Sequence, residues 1–283
     1  MNLYGSHLSI AKGMHAAVTR AGELAMTSVQ VFTKNQQQWR VPPLTDEAVA
    51  AWTAERRRLE MDVTVSHGSY LINLASPDEA LWNKGIDLFI EEVRRCDLLG
   101  IPFLVTHPGA HMGSGDETGI ARVAAALDRV YAALPDAKTI TCLESTAGQG
   151  TTLGHRLGQL ADIIAKAARP DRLGVCLDTA HLFAAGYDFR KRKYSAFCQE
   201  IESTVGCDRV RVWHLNDSKK PLGSRVDRHE HIGLGEIGDD GFRPIVRDKR
   251  WRAVPKILET PKPDRDDGRA WDTINLERLR GLE

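Results

Sequence analysis

No stretch of this 283-residue chain approaches the roughly 20 consecutive apolar residues that a membrane-spanning helix needs. The N-terminus, Met1-Asn2-Leu3-Tyr4-Gly5-Ser6-His7, lacks a basic region followed by an apolar run, so no signal peptide is expected. Cysteine is scarce. The five present (Cys96, Cys142, Cys176, Cys198 and Cys207) are odd in number and form no CxxC pair. That argues against a disulfide framework and for a reducing compartment, and a cytoplasmic protein is expected. Net charge is absent as well: 38 basic residues balance 38 acidic ones, so bulk charge does not advertise a polyanionic partner. Any nucleic-acid binding must then come from a local patch or from bound cations. No glycine-rich nucleotide fingerprint follows the first strand, which counts against a doubly wound open sheet. No linker or low-complexity segment divides the chain, and 42% hydrophobic residues suffice for one large core.

What the chain does have is a recurring pattern. Short β-rich apolar runs end on a histidine or a carboxylate: Val63-Thr64-Val65-Ser66-His67, Phe103-Leu104-Val105-Thr106-His107 and Ile140-Thr141-Cys142-Leu143-Glu144. So do Leu173-Gly174-Val175-Cys176-Leu177-Asp178, Val210-Arg211-Val212-Trp213-His214 and Ile257-Leu258-Glu259. Strands that deliver metal-type side chains at the same end are expected of a parallel barrel converging on one polynuclear site.

Helical-period segments alternate with these strands. The clearest runs from Glu79 to Leu99, with Ser76-Pro77 ahead of it as an expected cap. Ala11–Leu24, Thr45–Leu59, Thr118–Leu134, His155–Ala168 and Tyr194–Val205 read the same way. With strands over Leu3–His7 and Ser28–Thr33, the chain holds eight strand-then-helix units. That predicts an α/β protein, a single-domain (β/α)8 barrel over residues 1–283 with its site at the C-terminal ends of the strands. Lys262–Arg269 reads as the loop after the last strand, followed by a helix around Trp271–Leu279. Strand alternation points Val212 inward with His214 and turns Trp213 outward. Cys142 and Cys176 then face inward as small fillers below the ligands.

Spacing sharpens the ligand set. Asp178 and His181 stand three residues apart across a strand-to-loop corner, which suits two different ions better than one. Asp227 and His229 are two apart, on one side of an extended segment, able to grip a single ion. With His67, His107, Glu144, His214 and Glu259 the set is five histidines and four carboxylates, all nitrogen and oxygen donors. Such donors suit zinc, with manganese or iron possible at one site. Nine ligands are too many for one tetrahedral ion but suit three that share a bridging carboxylate.

At this point the chain resembles the endonuclease IV family, zinc-dependent apurinic/apyrimidinic endonucleases. The matching stretches are Phe32-Thr-Lys-Asn-Gln36 with Trp39, His67-Gly-Ser-Tyr-Leu-Ile-Asn-Leu74, His107-Pro-Gly109 and Glu144-Ser-Thr-Ala-Gly-Gln-Gly150. Further on come Gly174-Val-Cys-Leu-Asp-Thr-Ala-His181, Ala184-Ala-Gly-Tyr-Asp188, His214-Leu-Asn-Asp217, Gly223-Ser-Arg-Val-Asp-Arg-His229 and Leu258-Glu-Thr260. They run in order over nearly the whole chain. The resemblance implies three Zn²⁺: His67, His107 and Glu144 on the first; Glu144, Asp178, His214 and Glu259 on the second; His181, Asp227 and His229 on the third. Glu144 would bridge two ions and position the activated water. Three divalent ions against four carboxylates leave the site about +2, which helps a neutral protein hold a phosphate backbone. The implied reaction is hydrolysis 5′ to an abasic site in duplex DNA, leaving a 3′-hydroxyl and a 5′-deoxyribose phosphate, with removal of 3′-blocking groups. The implied partner is double-stranded DNA with abasic sites or blocked 3′ ends; no membrane and no obligate protein partner are inferred.

Lys34, Lys219, Lys220, Arg225 and Arg228 fall in loops at the catalytic end and are expected phosphate contacts. Tyr70 and Leu71 stand where the family inserts side chains into the helix at the lesion. In that wedge loop the family's best-known member carries an arginine where this chain has Gln37, so dependence on Tyr70 and Leu71 is expected to be stronger. His7, His111 and His231 lie near ligands in sequence and are candidate supports for them; His15 and His155 are expected at the surface. Gly148-Gln149-Gly150 reads as a phosphate cradle or as a plain turn. Asn216 and Asp217 either orient ligands or build the turn after the seventh strand. Two other functions are weighed. A xylose-isomerase-like sugar isomerase or epimerase shares the barrel but generally builds its site from carboxylates with about one histidine. A catalytically silent barrel that only binds damaged DNA would be expected to lack a ligand, and none is lacking.

Overall fold

Strands whose side chains are apolar on both faces must be covered on both faces, inside by each other and outside by helices. The computed structural model, which describes residues 1–263 and 267–283, has that architecture. The barrel strands are β1 (Tyr4–Ser6), β2 (Val29–Val31), β3 (Thr64–His67), β4 (Phe103–Thr106), β5 (Ile140–Glu144), β6 (Leu173–Asp178) and β7 (Val210–His214). A short antiparallel ladder of β8 (Asp217–Ser218) and β9 (His229–Glu230) stands in the loop after β7, and β10 (Lys256–Leu258) completes the wall. The barrel strands pair in the order β1-β10-β7-β6-β5-β4-β3-β2, parallel throughout. Between β1 and β2 the wall meets in one isolated bridge, His7 with Gln30, where Leu8 N–H also donates to Gln30 O at 2.9 Å.

The barrel is a packed interior. Val65, Val105, Cys142, Cys176, Val212 and Ile257, one from each of six strands, fill it beneath the strand ends. Burial pushes the Cys176 thiol up to about 12, and Cys142 also rises, so both remain protonated apolar fillers. Trp213 faces the other way and packs on Trp251 with ring centroids 5.6 Å apart.

The covering helices, among them α1 (Met14–Glu23), α2 (Asp46–Arg58), α4 (Asp116–Ala133) and α5 (Leu157–Lys166), follow their sequence periods. In α3 (Glu79–Leu98), Ile86, Phe89, Val93 and Cys96 recur at helical spacing and are buried, whereas Glu91 and Arg94 pair on the exposed side. The cap differs from the expected Ser76-Pro77. Asp78 caps the helix, its carboxylate accepting Leu81 N–H at 2.9 Å, and Ser76 Oγ accepts Asp78 N–H at 3.2 Å. Ser76 is taken up by the amide of Asp78, which leaves the Asp78 carboxylate to accept the free helical amide three residues on. The corner expected after Asp178 is likewise a short helix, α6 (Thr179–Ala185), capped by Asp178 itself. The final helix extends over Trp271–Gly281; the loop expected over Lys262–Arg269 lies partly outside the described residues.

Candidate metal centre

Parallel strands deliver their C-terminal residues to one rim, and the fold collects the predicted side chains there. His67, Glu144, Asp178 and His214 end β3, β5, β6 and β7, while His107 and Glu259 follow β4 and β10 by one residue. Glu144 is completely buried at the centre. Its Oε2 lies 3.1 Å from both His67 Nε2 and His107 Nε2, and its Oε1 lies 2.8 Å from His214 Nδ1. Glu259 Oε2 approaches the same His214 nitrogen at 3.2 Å. Asp227 reaches in from the loop after β7, with one oxygen 3.2 Å from His181 Nε2 and the other 3.2 Å from His229 Nε2.

Donor atoms close enough to share an ion fall into overlapping groups: His67, His107 and Glu144; Glu144, Asp178, His214 and Glu259; and Asp178, His181 and His229. The separation of Asp178 from His181 expected from spacing is not so clean, because Asp178 stands within reach of both the second and third groups. Among the described residues a fourth grouping, Glu144, Cys176 and His214, keeps Glu144 but puts Cys176 in place of Asp178 and Glu259, and its high thiol pKa makes it a poor competitor.

Ring orientation is set by the backbone. His67 Nδ1 donates to Gly68 O at 2.8 Å, His181 Nδ1 to Ser145 O at 2.8 Å and His229 Nδ1 to Glu259 O at 3.2 Å. A carbonyl oxygen only accepts, so each Nδ1 carries a hydrogen and each Nε2 is the atom that can turn a lone pair toward a cation once its own proton has left. His229 Nε2 is buried facing Asp227 at 3.2 Å and Asp178 at 3.7 Å without a well-directed hydrogen bond to either, as a ligand atom between two carboxylates would be.

The electrostatics point the same way. Burial disfavours a charged His181, but Asp178, Asp227 and Glu144 outweigh it and hold its pKa up at about 10. His229, beside Asp178 and Asp227, is raised to about 9 in spite of burial. Glu144 and Glu259, also penalised by burial, are drawn well below the usual carboxylate range by the imidazoles around them. Protons thus occupy the role of cations in the metal-free protein. Nitrogen and oxygen donors of this number fit divalent zinc, manganese or iron, and metal affinity will fall as the pH is lowered because histidine protons must leave first.

One support, Gln30, went unseen in the sequence; for Asn216 the sequence left two roles open. Gln30 on β2 contacts both Glu259 and His214. Asn216 donates to Asp178 Oδ2 at 2.7 Å and accepts Glu259 N–H at 2.8 Å, so it orients ligands, whereas its neighbour Asp217 builds the loop. The Asp217 carboxylate collects the amides of Gly233, Gly235, Ile237 and Gly238 within 3.2 Å. Of the ambiguous histidines, His7 lies 3.3 Å from Glu259 Oε1. His111 instead accepts Gly115 N–H, and His231 stacks on Trp271 with centroids 3.6 Å apart. His15 is exposed and His155 partly so. After the ligand His107, Gly109 turns the chain with φ 108°, and a Cβ there would meet Asn73 Oδ1 at 2.2 Å, so only glycine fits.

Around this rim stand the expected DNA contacts. Tyr70, 60% exposed, leans over His67 with ring centroids 5.4 Å apart, and Leu71 beside it is partly buried. Gln37, Lys219, Lys220, Arg225 and Arg228 are exposed. Lys34 is not: its ammonium is buried 3.2 Å from Glu92 of α3 and also faces the carbonyls of Asn35 and Gln38. Glu92 in turn accepts Ser69 N–H at 3.1 Å, and Arg95 donates to Thr33 O and Pro42 O. Lys34 therefore holds the loops after β2 and β3 together and does not extend toward a phosphate; an inward acid on α3 captures it.

The model of a family of xylose isomerase-like TIM barrels matches residues 18–280. The probable endonuclease 4 of Chloroflexus aggregans is 47% identical over 283 residues, spanning 100% of this chain and 98% of that protein. The probable endonuclease 4 of Geobacter sulfurreducens is 48% identical over 284 residues, spanning 100% and 95%. Among solved structures, endonuclease IV from Thermus thermophilus superposes with a TM-score of 0.87 at 35% identity, covering 99% of this chain and 98% of that one. A D-tagatose 3-epimerase-like protein superposes at 0.75 with 16% identity over 99% of this chain and 96% of its own, a likeness of fold alone.

Proposed function

This chain belongs to the endonuclease IV family, and from that premise we propose that it hydrolyses the phosphodiester 5′ to abasic sites in duplex DNA with three zinc ions. His67, His107 and Glu144 would hold the first, Glu144, Asp178, His214 and Glu259 the second, and His181, Asp227 and His229 the third. When bound, the ions would supply Lewis acidity, activating water, neutralising phosphate oxygens and stabilising the leaving oxyanion. The observation that carries the reading is Glu144: one buried carboxylate with His67 and His107 within 3.1 Å of one oxygen and His214 at 2.8 Å from the other.

The chain's own residues do the remaining work. Backbone carbonyls of Gly68, Ser145 and Glu259 fix three rings before substrate arrives, so little reorganisation is needed during reaction. Asn216 ties Asp178 to Glu259 across β6 and β10. No side-chain nucleophile is required, and since the DNA 3′-oxygen is the leaving group whether the phosphorus carries an abasic residue or a 3′-blocking group, trimming of blocked 3′ ends belongs to the same proposal. Lys219, Arg225 and Arg228 would meet the backbone phosphates, with Gln37, Tyr70 and Leu71 at the distorted step.

The test is incision of an end-labelled duplex carrying one tetrahydrofuran abasic analogue, in excess EDTA with no added magnesium. Cleavage immediately 5′ to the analogue is expected, because an enclosed ion cluster survives brief chelation. No cleavage, even after zinc and manganese are restored to folded protein, would sink the proposal. Tyr70→Ala is expected to weaken abasic-duplex binding by roughly 10- to 100-fold, the worth of one aromatic stack at about 1–3 kcal/mol. Fluorescence anisotropy with the non-cleaved duplex in a metal-exchanged protein reads it, and unchanged affinity would remove Tyr70 from the interface.

A further inference from the structure

Strands β1 and β2 end without a carboxylate, yet β2 reaches the centre through Gln30. We propose that Gln30 is a positioning residue that decides which nitrogen His214 offers to the second ion and holds Glu259 beside it; the inference rests on the metal-dependent reading above. Gln30 is fully buried, with Nε2 2.6 Å from Glu259 Oε1 and Oε1 2.8 Å from His214 Nε2.

The orientation of the amide follows from chemistry. An ionised carboxylate only accepts, so the NH₂ end must face Glu259, which leaves the carbonyl end for His214. That oxygen also only accepts, so His214 Nε2 carries a hydrogen, and Nδ1 is the atom left to give a lone pair to an ion once its own proton has gone. Nδ1 is the atom 2.8 Å from Glu144 Oε1 and 3.2 Å from Glu259 Oε2. His214 is therefore inverted relative to His67, His181 and His229, which turn Nε2 inward and give Nδ1–H to the backbone. Their tautomers are fixed by main-chain atoms that no substitution removes. The tautomer of His214 hangs on one side chain. Glutamate could not replace it, since a second negative charge would stand against Glu259. His7 Nδ1, 3.0 Å from the same amide nitrogen, braces Gln30 from the β1 side.

Gln30→Met keeps the volume and removes both hydrogen bonds. Zinc-loaded wild type and variant are dialysed against a graded chelator, and the zinc retained is counted by emission spectrometry. One zinc of the variant is expected to bind about 10- to 100-fold more weakly, as is usual on losing a partner of a ligand, while the others are held as in wild type. Turnover at saturating abasic duplex should fall with KM unchanged. Equal retention of every zinc would overturn the inference. Should the variant not fold, the wild type still decides: in ¹⁵N-histidine spectra of the zinc-loaded protein His214 must be protonated at Nε2, and protonation at Nδ1 would overturn it. A wild type that retains no zinc would instead fail the metal-dependent reading itself, so the two failures are told apart.

Discussion

Glu144→Gln should lower kcat/KM for abasic-site incision by about 10³-fold or more while leaving the barrel folded. Glu144 is shared by the first two ligand groups, so both of its oxygens are committed. Glutamine keeps the size and one acceptor but places an NH₂ where His67 and His107 converge or where His214 points. Either choice sets a donor against a position that needs an anion. Charge stabilisation by a bound metal is worth several kcal/mol in the transition state, and each 1.36 kcal/mol is tenfold in rate. Single-turnover incision with parallel zinc counting measures the effect. A variant within threefold of wild type would show that Glu144 neither bridges ions nor positions water.

Stripping the metals should destabilise the protein strongly, and more at high pH than at neutral pH. A ligand present at a thousand times its Kd stabilises by about 4 kcal/mol, which for a chain of this size is about 7 °C in Tm for each ion. The pH dependence follows from the histidines. Folded pKa values of about 10 for His181 and about 9 for His229 lie above the ordinary 6.5. Their protonation therefore stabilises the metal-free fold fully below pH 6.5, and that contribution is lost as the pH rises through 9 to 10. Scanning calorimetry of loaded and stripped protein at pH 6.5 and 9.5 should show the wider gap at 9.5. Equal melting of the two forms at both values would mean the ligand cluster does not bind ions tightly.

The barrel and the residues of its rim were legible in the sequence for one reason. A parallel strand announces itself by local composition, and its last residue is fixed at the rim by the same period, so His67, Glu144, Asp178 and His214 could be placed without knowing their neighbours. Helix spans came within a few residues; ahead of α3 the start at Glu79 held and only the cap differed, because Asp78 captured the free amide. What could not be read were contacts between distant strands. Gln30 and Glu259 are 229 positions apart, and a lone glutamine between two valines carries no local mark of its partner. Lys34 was misplaced for the same reason: nothing near it in sequence reveals that Glu92 waits 58 residues on, inside α3.

That buried Lys34–Glu92 pair has a consequence for anyone wishing to re-engineer the protein. Removing one member of a buried ion pair strands the other and typically costs about 3–5 kcal/mol. The loops after β2 and β3 therefore behave as one interchangeable cassette clipped to α3, not as two independent appendages. Residues 37, 70 and 71 at its tip can be varied to change DNA binding without disturbing the clip, whereas Lys34, Ser69, Glu92 and Arg95 are the clip and must be kept or exchanged as a set. A transplant from a relative that moves the tip without its clip would bring the right side chains to the wrong place.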